Sequence, residues 1–142
     1  MQLNKFTDYG LRILLYISPQ RDEVYTIAEL AENLKVSQNH LVKIVHFMAK
    51  QHWIITTRGK GGGIRLSPST LNLPLGEMIR TLQNTPHIIN CHNPACVLRP
   101  QCRLKGVLDF ALEHFYHTLN QHKFAEFVLS HPHSIPIKFF NE

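Results

Sequence analysis

Three cysteines, Cys91, Cys96 and Cys102, are the most chemically distinctive residues of this 142-residue chain. Four residues separate the first two, and five separate the last two. Pro94 and Pro100 interrupt the segment, so we expect an irregular loop on which the three sulfurs can converge. Inert structural cysteines are usually buried in apolar surroundings, whereas this stretch is polar. Three thiols so close together therefore indicate a metal site.

The spacing leaves the identity of the metal open. Zinc usually takes closer cysteine pairs and four protein ligands, so a zinc site would take its fourth ligand from His87 or His92. An iron–sulfur cluster also binds cysteine thiolates, and a different ligand can replace one of them. A thiol enzyme is a third interpretation, but only the neighbouring Cys91 and His92 suggest a nucleophile with its base. We therefore predict a metal-binding protein that is not an enzyme.

The composition is typical of a soluble globular protein. The chain is long enough for one domain, and it is 44% hydrophobic and 18% charged. No apolar run approaches the roughly 18–20 residues of a membrane span, and the first residues lack the apolar stretch of a secretory signal. The odd number of cysteines argues against a disulfide framework within one chain. We expect a cytoplasmic protein that does not associate with membranes.

The first half of the chain has the pattern of a helix-turn-helix. Thr26 and Glu29 have the spacing of a capping box. In this motif the Thr26 hydroxyl accepts a hydrogen bond from the Glu29 amide, and the Glu29 carboxylate reaches back to the Thr26 backbone amide. Lys35 and Val36 make a tight turn, and Ser37 is a good N-cap for the next helix. An apolar stripe with three- and four-residue spacing follows that cap. The predicted helices are residues 8–17, 27–34 and 38–51.

A glycine-rich hairpin is predicted next. Residues 53–57 are β-branched and aromatic and predict a strand, residues 64–66 predict its return, and residues 58–63 form a flexible tip. A phosphate-binding loop needs Gly-Lys-Ser/Thr entering a helix, whereas these glycines enter a strand. A helix-turn-helix followed by such a hairpin is a winged helix. The predicted fold class is therefore mainly α with a small β-hairpin wing.

The second half is predicted to contain two more helices. A short helix covers residues 75–82, an irregular segment covers 83–102, and a long helix runs from residue 103 to 119. The apolar stripe of the long helix predicts a dimerisation helix, and ordinary core packing is the alternative. A last short helix is expected near Phe124, and a loosely held tail after Pro132. The stripe consists of Leu104, Val107, Leu108, Ala111, Leu112, Phe115 and Leu119.

Positive charge is concentrated on the winged helix. The chain has 15 Lys and Arg against 10 Asp and Glu, a net charge of +5, yet no acidic residue lies between Lys35 and Arg65. A solvated face can explain a basic run, but not one that covers both the second helix and the wing. The start of a recognition helix contacts base edges, and wing cations neutralise the phosphates of double-stranded DNA. The predicted DNA-binding residues are Ser37, Gln38, Asn39, His40, Lys43, Arg58, Lys60 and Arg65.

Three segments of the sequence resemble the bacterial winged-helix iron–sulfur repressors, the family that includes IscR. They are residues 6–12 (FTDYGLR), 58–66 (RGKGGGIRL) and 90–105, which contains the three cysteines. The resemblance runs from Met1 to near Val128 and is strongest to the nitric-oxide-sensing members. It implies that the cysteines hold an iron–sulfur cluster, 4Fe–4S or 2Fe–2S, and that the long helix pairs two subunits.

The same resemblance implies a fourth ligand. In the nitric-oxide-sensing members an aspartate near the N-terminus of the partner subunit completes the site, and Asp8 matches it. IscR-like members instead have a histidine three residues after the last cysteine, where this chain has Lys105. A hard carboxylate among soft thiolates is a weak ligand that a small molecule such as nitric oxide can displace. If no cluster is bound, Asp8 is instead an N-cap or first-turn acid, whose negative charge is favourable near the N-terminus of its helix.

These observations lead to one hypothesis and its alternatives. We expect a homodimeric DNA-binding transcriptional repressor that senses nitric oxide through the cluster and releases operator DNA when the cluster is nitrosylated. The alternatives are a zinc-stabilised winged-helix regulator and a redox-sensing regulator of another branch of the family. The predicted domains are a winged-helix DNA-binding domain (residues 1–82), a cluster-binding loop (83–102) and a dimerisation helix with a C-terminal tail (103–142).

Overall fold

The computed structural model describes residues 1–130, which are mainly α-helical with one antiparallel β-hairpin, as predicted. The expectation for the tail after Pro132 lies outside these residues. The described residues divide into two compact units, one formed by residues 1–72 and 124–130, the other by residues 73–123. The elements are α1 (Lys5–Tyr16), α2 (Ile27–Leu34), α3 (Gln38–Lys50), β1 (Ile54–Thr57), β2 (Gly63–Leu66), α4 (Leu75–Gln83) and α5 (Leu104–Leu119), with 3-10 turns at Pro68–Asn72 and Phe124–Phe127.

Side-chain caps determine where the helices of the first unit begin. Asn4 accepts a hydrogen bond from the Thr7 amide at 2.8 Å, so α1 begins three residues earlier than its apolar spacing predicts. The Thr26 hydroxyl accepts from the Glu29 amide at 3.2 Å, and the Glu29 carboxylate accepts from the Thr26 backbone. This pair confirms the capping box at the start of α2. Ser37 caps α3, also as predicted.

The three helices of this unit share one core. Lys35 ends α2 in the left-handed region with φ 58°, which makes the tight turn into α3. α3 contacts both α1 and α2, and its predicted apolar stripe is buried. The opposite face of α3 therefore remains in solvent. The buried residues of the three helices include Ile13, Leu14, Leu30, Leu41, Ile44, Val45 and Met48.

The wing is the predicted hairpin. β1 and β2 pair antiparallel, from Ile54 opposite Leu66 to Thr57 opposite Gly63. Gly59 and Gly61 in the connecting turn have φ of 88° and 76°, a region that glycine adopts without steric cost. The pattern of short helices and a glycine-turned hairpin confirms the winged helix as the fold of this unit.

The second unit contains α4, the cysteine segment and α5. α4 and α5 contact each other closely at Gly76, where a Cβ atom would lie 2.3 Å from the Tyr116 carbonyl oxygen. Arg80 joins the same two helices: its guanidinium donates two hydrogen bonds of 2.8 Å to the Glu113 carboxylate and lies 4.1 Å from the centre of the Tyr116 ring. These helices are therefore joined by a close backbone approach, an ion pair and a cation–π contact.

The long helix has two apolar faces where the sequence predicted one stripe. Leu112 and Tyr116 are buried, whereas Leu104, Val107 and Phe110 are exposed. The prediction merged the two faces because apolar residues on adjacent sides of a helix produce a single broad pattern. No helix in the described part of the chain is long and apolar enough to cross a membrane.

Candidate DNA-binding surface and cysteine loop

The exposed face of α3 holds the predicted recognition residues. Gln38, Asn39, His40 and Lys43 are all exposed. Ser37 is exposed as well, but its hydroxyl accepts a hydrogen bond from the His40 amide at 3.3 Å and so caps the helix. The structure thus places the amide, imidazole and ammonium groups together at the start of α3. Amide side chains there can pair with adenine, and an ammonium group can reach guanine or a phosphate.

Val42 belongs to the same face and was missed by sequence reasoning. Its side chain is 53% exposed, one turn from Asn39 and next to Lys43. The apolar stripe of α3 is complete without it, because Leu41 and Val45 already face the core. The only signal in the sequence was a β-branched residue between the positions of the stripe.

The three predicted wing cations have different surroundings. Arg58 and Lys60 are exposed in the turn between the strands. Arg65, on β2, donates one hydrogen bond to the carbonyl oxygen of Arg21 at 2.7 Å and another to that of Asp22. These hydrogen bonds from Arg65 connect the segment before α2 to the wing. The contact of Arg65 with DNA stays a prediction.

A polar cluster stabilises that same segment and had no signal in the sequence. Arg21 donates to the Glu29 carboxylate at 2.6 and 2.9 Å, and the Tyr16 hydroxyl donates to it at 3.0 Å. The hydrogen bond from Arg21 lowers the pKa of Glu29, while burial, aided by Glu29, raises the pKa of Tyr16 to about 12. The Arg21 guanidinium also lies 3.7 Å from the centre of the Tyr25 ring. These contacts hold α1, α2 and the segment between them together.

The cysteine segment is an irregular loop folded by successive turns, as predicted. The Asn90 side chain accepts hydrogen bonds from the amides of the second and third residues after it, at 3.0 and 3.2 Å. The Cys96 amide donates to the Cys91 carbonyl at 3.1 Å, which brings these two residues into one turn. All three cysteines are free thiols; Cys91 is buried, and Cys96 and Cys102 are exposed.

The side-chain types of the cysteine loop fit a metal ion or an iron–sulfur cluster. Within residues 1–130, no three His, Cys, Asp or Glu side chains lie close enough together to hold a metal ion. Three free thiols on an irregular loop are the donors that soft metals and iron–sulfur clusters prefer. The residue types of the loop therefore suit such a group, and Cys91, Cys96 and Cys102 are the thiols that would hold it.

His87 joins the start of the loop to α5. Its Nδ1 lies 3.0 Å from an Asp109 carboxylate oxygen and 3.2 Å from the Lys105 ammonium nitrogen, and Lys105 also donates to Asp109. The hydrogen bonds from Lys105 and then His87 lower the pKa of Asp109. Lys105, at the position where IscR-like repressors have a histidine, is thus a bridging cation at the base of the loop.

His92 has a partner inside the loop. Its Nδ1 lies 3.0 Å from an Arg99 guanidinium nitrogen. Because arginine can only donate, Nδ1 is the acceptor in this contact. His92 therefore braces the turn between Cys91 and Cys96 in this structure.

Asp8 belongs to the first unit, whereas the cysteines belong to the second. It lies in the first turn of α1, where a negative charge is favourable, but the N-cap is Asn4. Its carboxylate pairs with Arg12 one turn later, at 2.8 and 3.1 Å. Its role as a ligand stays a prediction.

The comparison that decides the family covers nearly the whole described chain. Residues 3–129 match the profile of Rrf2, described as an iron-dependent transcriptional regulator. The chain belongs to the Rrf2 family. Rrf2 proteins are DNA-binding transcriptional regulators, and the winged helix with its basic surface agrees with that role.

An Rrf2 relative of similar length is the HTH-type transcriptional regulator NsrR of Shouchella clausii strain KSM-K16. It is 36% identical over 134 residues, which cover 92% of this chain and 90% of that protein. This agreement confirms the relationship to the family that the three sequence segments indicated. The matched length includes residues of both compact units.

Solved structures agree on the fold. The oxidised form of Staphylococcus aureus CymR matches with a TM-score of 0.67 at 16% identity, over 88% of this chain and 94% of that one. T. potens IscR matches with a TM-score of 0.64, also at 16% identity, over 89% and 85%. Both confirm the Rrf2-type winged-helix fold.

Proposed function

We propose that this Rrf2 protein is a homodimeric transcriptional repressor that senses nitric oxide in the cytoplasm through an iron–sulfur cluster. Cys91, Cys96 and Cys102 would hold the cluster, which supplies a centre that reacts with nitric oxide, and Asp8 of the partner subunit would complete it. The observation that carries the proposal is the loop of three free thiols in a winged-helix regulator. The resemblance to nitric-oxide-sensing repressors and the similarity to an NsrR support it.

The proposed DNA contact uses both basic elements of the first unit. Gln38, Asn39 and Lys43 lie on the solvent face of α3 and are suited to base edges in a major groove. Arg58 and Lys60 lie in the wing turn and are suited to phosphates. Ser37, His40 and Arg65 are the remaining proposed contact residues, although Ser37 and Arg65 also make the structural hydrogen bonds described above.

The exposed face of α5 supports a dimer. Leu104, Val107 and Phe110 follow one another at three-residue intervals, and each is more than half exposed. Contiguous apolar side chains on a surface favour association with another protein surface, because covering them removes apolar area from water. A second copy of this helix offers the same apolar face, as a two-fold dimer interface requires.

In the dimer, Asp8 would connect the DNA-binding unit of one subunit to the cysteine loop of the other. The carboxylate is the hard member of an otherwise soft donor set, so it is the ligand most easily displaced. When that link is lost, the two DNA-binding units are no longer held in one geometry, and two half-sites cannot be bound at once. His87, Lys105 and Asp109 connect the base of the loop to α5 in this structure.

The test is the anaerobically purified full-length protein. We expect brown protein with iron and inorganic sulfide in equal amounts, a visible absorption that changes when nitric oxide is added, and a parallel loss of binding to a selected DNA duplex. The variant Cys96→Ser should contain little iron yet retain the helical circular dichroism signal. A colourless wild-type protein with one zinc per chain would show that the zinc-stabilised regulator is the correct alternative.

A further inference from the structure

Val42 is an exposed hydrophobic residue at the centre of the proposed recognition surface. Its side chain is 53% exposed, although the buried face of α3 is complete around Leu41 and Val45. A β-branched residue is a weaker helix former than alanine, so Val42 contributes little to the folded state at this position. Isolated exposed hydrophobic residues are common, and the position of Val42 is what distinguishes it.

The neighbours of Val42 define the kind of surface it belongs to. Gln38 and Asn39 precede it by four and three residues, and His46 follows by four, so these side chains share one face of α3. All of them, and Lys43 beside them, are exposed. One apolar group is thus surrounded by amides, an imidazole and a cation. Such a surface is too polar and too positive for an apolar protein groove, and it suits the edges of bases.

The major groove offers one apolar feature, the C5 methyl group of thymine. We infer that Val42 packs against a thymine methyl group in each half-site and thereby selects a T·A base pair at one position. This inference rests on the proposed function, because it requires α3 to enter the major groove. Gln38 or Asn39 would read an adjacent pair through hydrogen bonds, so Val42 adds a discrimination that the polar residues do not provide.

The experiment removes one methyl group at a time. Anaerobically purified full-length protein first selects duplexes from a random pool, and each thymine of the selected site is then replaced by deoxyuridine. Dissociation constants are measured by fluorescence anisotropy at one fixed salt concentration. We expect one thymine per half-site at which the replacement weakens wild-type binding about fourfold, the effect of burying one methyl group.

Two variants make the result specific to Val42. Val42→Ala should bind the thymine and deoxyuridine duplexes equally, and it should fold, because the residue is exposed and alanine favours helix. Ile55→Ala removes a side chain of nearly the same exposure, 52%, from the wing, and it should keep the wild-type response to deoxyuridine.

The outcomes are separable. A wild-type protein that selects a sequence but shows no sensitive thymine overturns the inference and leaves the proposed DNA binding intact. A sensitive thymine whose effect persists in Val42→Ala also overturns it, since another residue then contacts the methyl group. A wild-type protein that selects no sequence overturns the proposed DNA recognition and this inference with it.

Discussion

Asp8 and Arg12 form an ion pair through two hydrogen bonds on successive turns of α1, from Nε to Oδ1 at 2.8 Å and from Nη2 to Oδ2 at 3.1 Å. Both side chains remain about half exposed, and the Asp8 hydrogen bond raises the pKa of Arg12. A carboxylate that accepts hydrogen bonds from arginine can bind a metal centre as well only if one of its oxygen lone pairs is still free. Coordination by Asp8 would therefore compete with, or reorganise, its pair with Arg12.

The first prediction tests Asp8 as a ligand. Asp8→Ala should lose its visible absorption faster than wild type when nitric oxide or an iron chelator is added, and Asp8→Cys should lose it more slowly in the presence of the chelator, because a thiolate is a softer ligand. Stopped-flow absorption measures both rates. Asp22→Ala removes another exposed acid of the same unit and should behave as wild type. Equal rates for all four proteins would exclude Asp8 from the site.

The second prediction separates the two wing arginines. Arg58→Ala should weaken binding to selected and random duplexes alike and reduce the slope of log K against log salt by about 1, since one phosphate contact is lost. Arg65→Ala should, in addition to any loss of DNA contact, lower the free energy of unfolding by about 1 kcal/mol, because its hydrogen bonds to two carbonyl oxygens are lost. Salt titrations and urea unfolding measure the two effects. If Arg58→Ala changes only stability, this assignment is wrong.

The third prediction uses two glycines of the second unit. Gly76→Ala should destabilise the protein by about 1–3 kcal/mol, because the added Cβ would lie 2.3 Å from the Tyr116 carbonyl oxygen and 2.4 Å from Asn120 Oδ1. Gly106→Ala, on α5, meets no atom within 4 Å and should stabilise it by about 0.5–1 kcal/mol. Urea unfolding of the metal-free protein gives both values. A neutral Gly76→Ala would contradict the close approach of α4 and α5.

The fourth prediction concerns pH. The hydrogen bond from Arg21 lowers the pKa of Glu29 below its ordinary value of 4.5, so this carboxylate stabilises the folded state above that pH. The contribution is lost as the pH falls through the lowered pKa of the folded state. The difference in Tm between wild type and Glu29→Gln should therefore shrink between about pH 6 and pH 3. Arg21→Gln removes the partner of Glu29, and its Tm difference from wild type should shrink over the same pH range. A Tm difference that stays constant with pH in either variant would refute the prediction.

The fifth prediction tests the dimer. Phe110 is 64% exposed on α5, and Phe110→Glu should convert the protein to a monomer, because a charge cannot be buried unpaired in an apolar interface. Light scattering after gel filtration measures the mass. Ile55→Glu introduces the same charge at an exposed hydrophobic residue of the wing and should leave the dimer intact. A dimeric Phe110→Glu would require a different interface.

Local patterns predicted most of the fold, because each was decided by neighbours in the chain. The capping box at Thr26 and Glu29, the Ser37 cap and the glycine turn of the wing all formed as expected. Contacts between distant residues could not be predicted: the Arg21–Glu29 pair and the tie from Arg65 to the backbone of Asp22 have no local signature. For the site, the sequence located the three cysteines on an irregular loop, but not that their thiols differ in burial. It also gave no indication that His87 pairs with Asp109.

The unequal burial of the three thiols has a practical consequence for handling the protein. Alkylating reagents should modify Cys96 and Cys102 quickly and Cys91 slowly, so peptide mass spectrometry after a short exposure would record two adducts before the third. In air, the two accessible thiols can also cross-link separate chains into covalent oligomers, which would trap the metal-free protein. Preparations should therefore be kept reduced from lysis onward, and the order of alkylation offers a simple assay for whether the three thiols have bound a ligand.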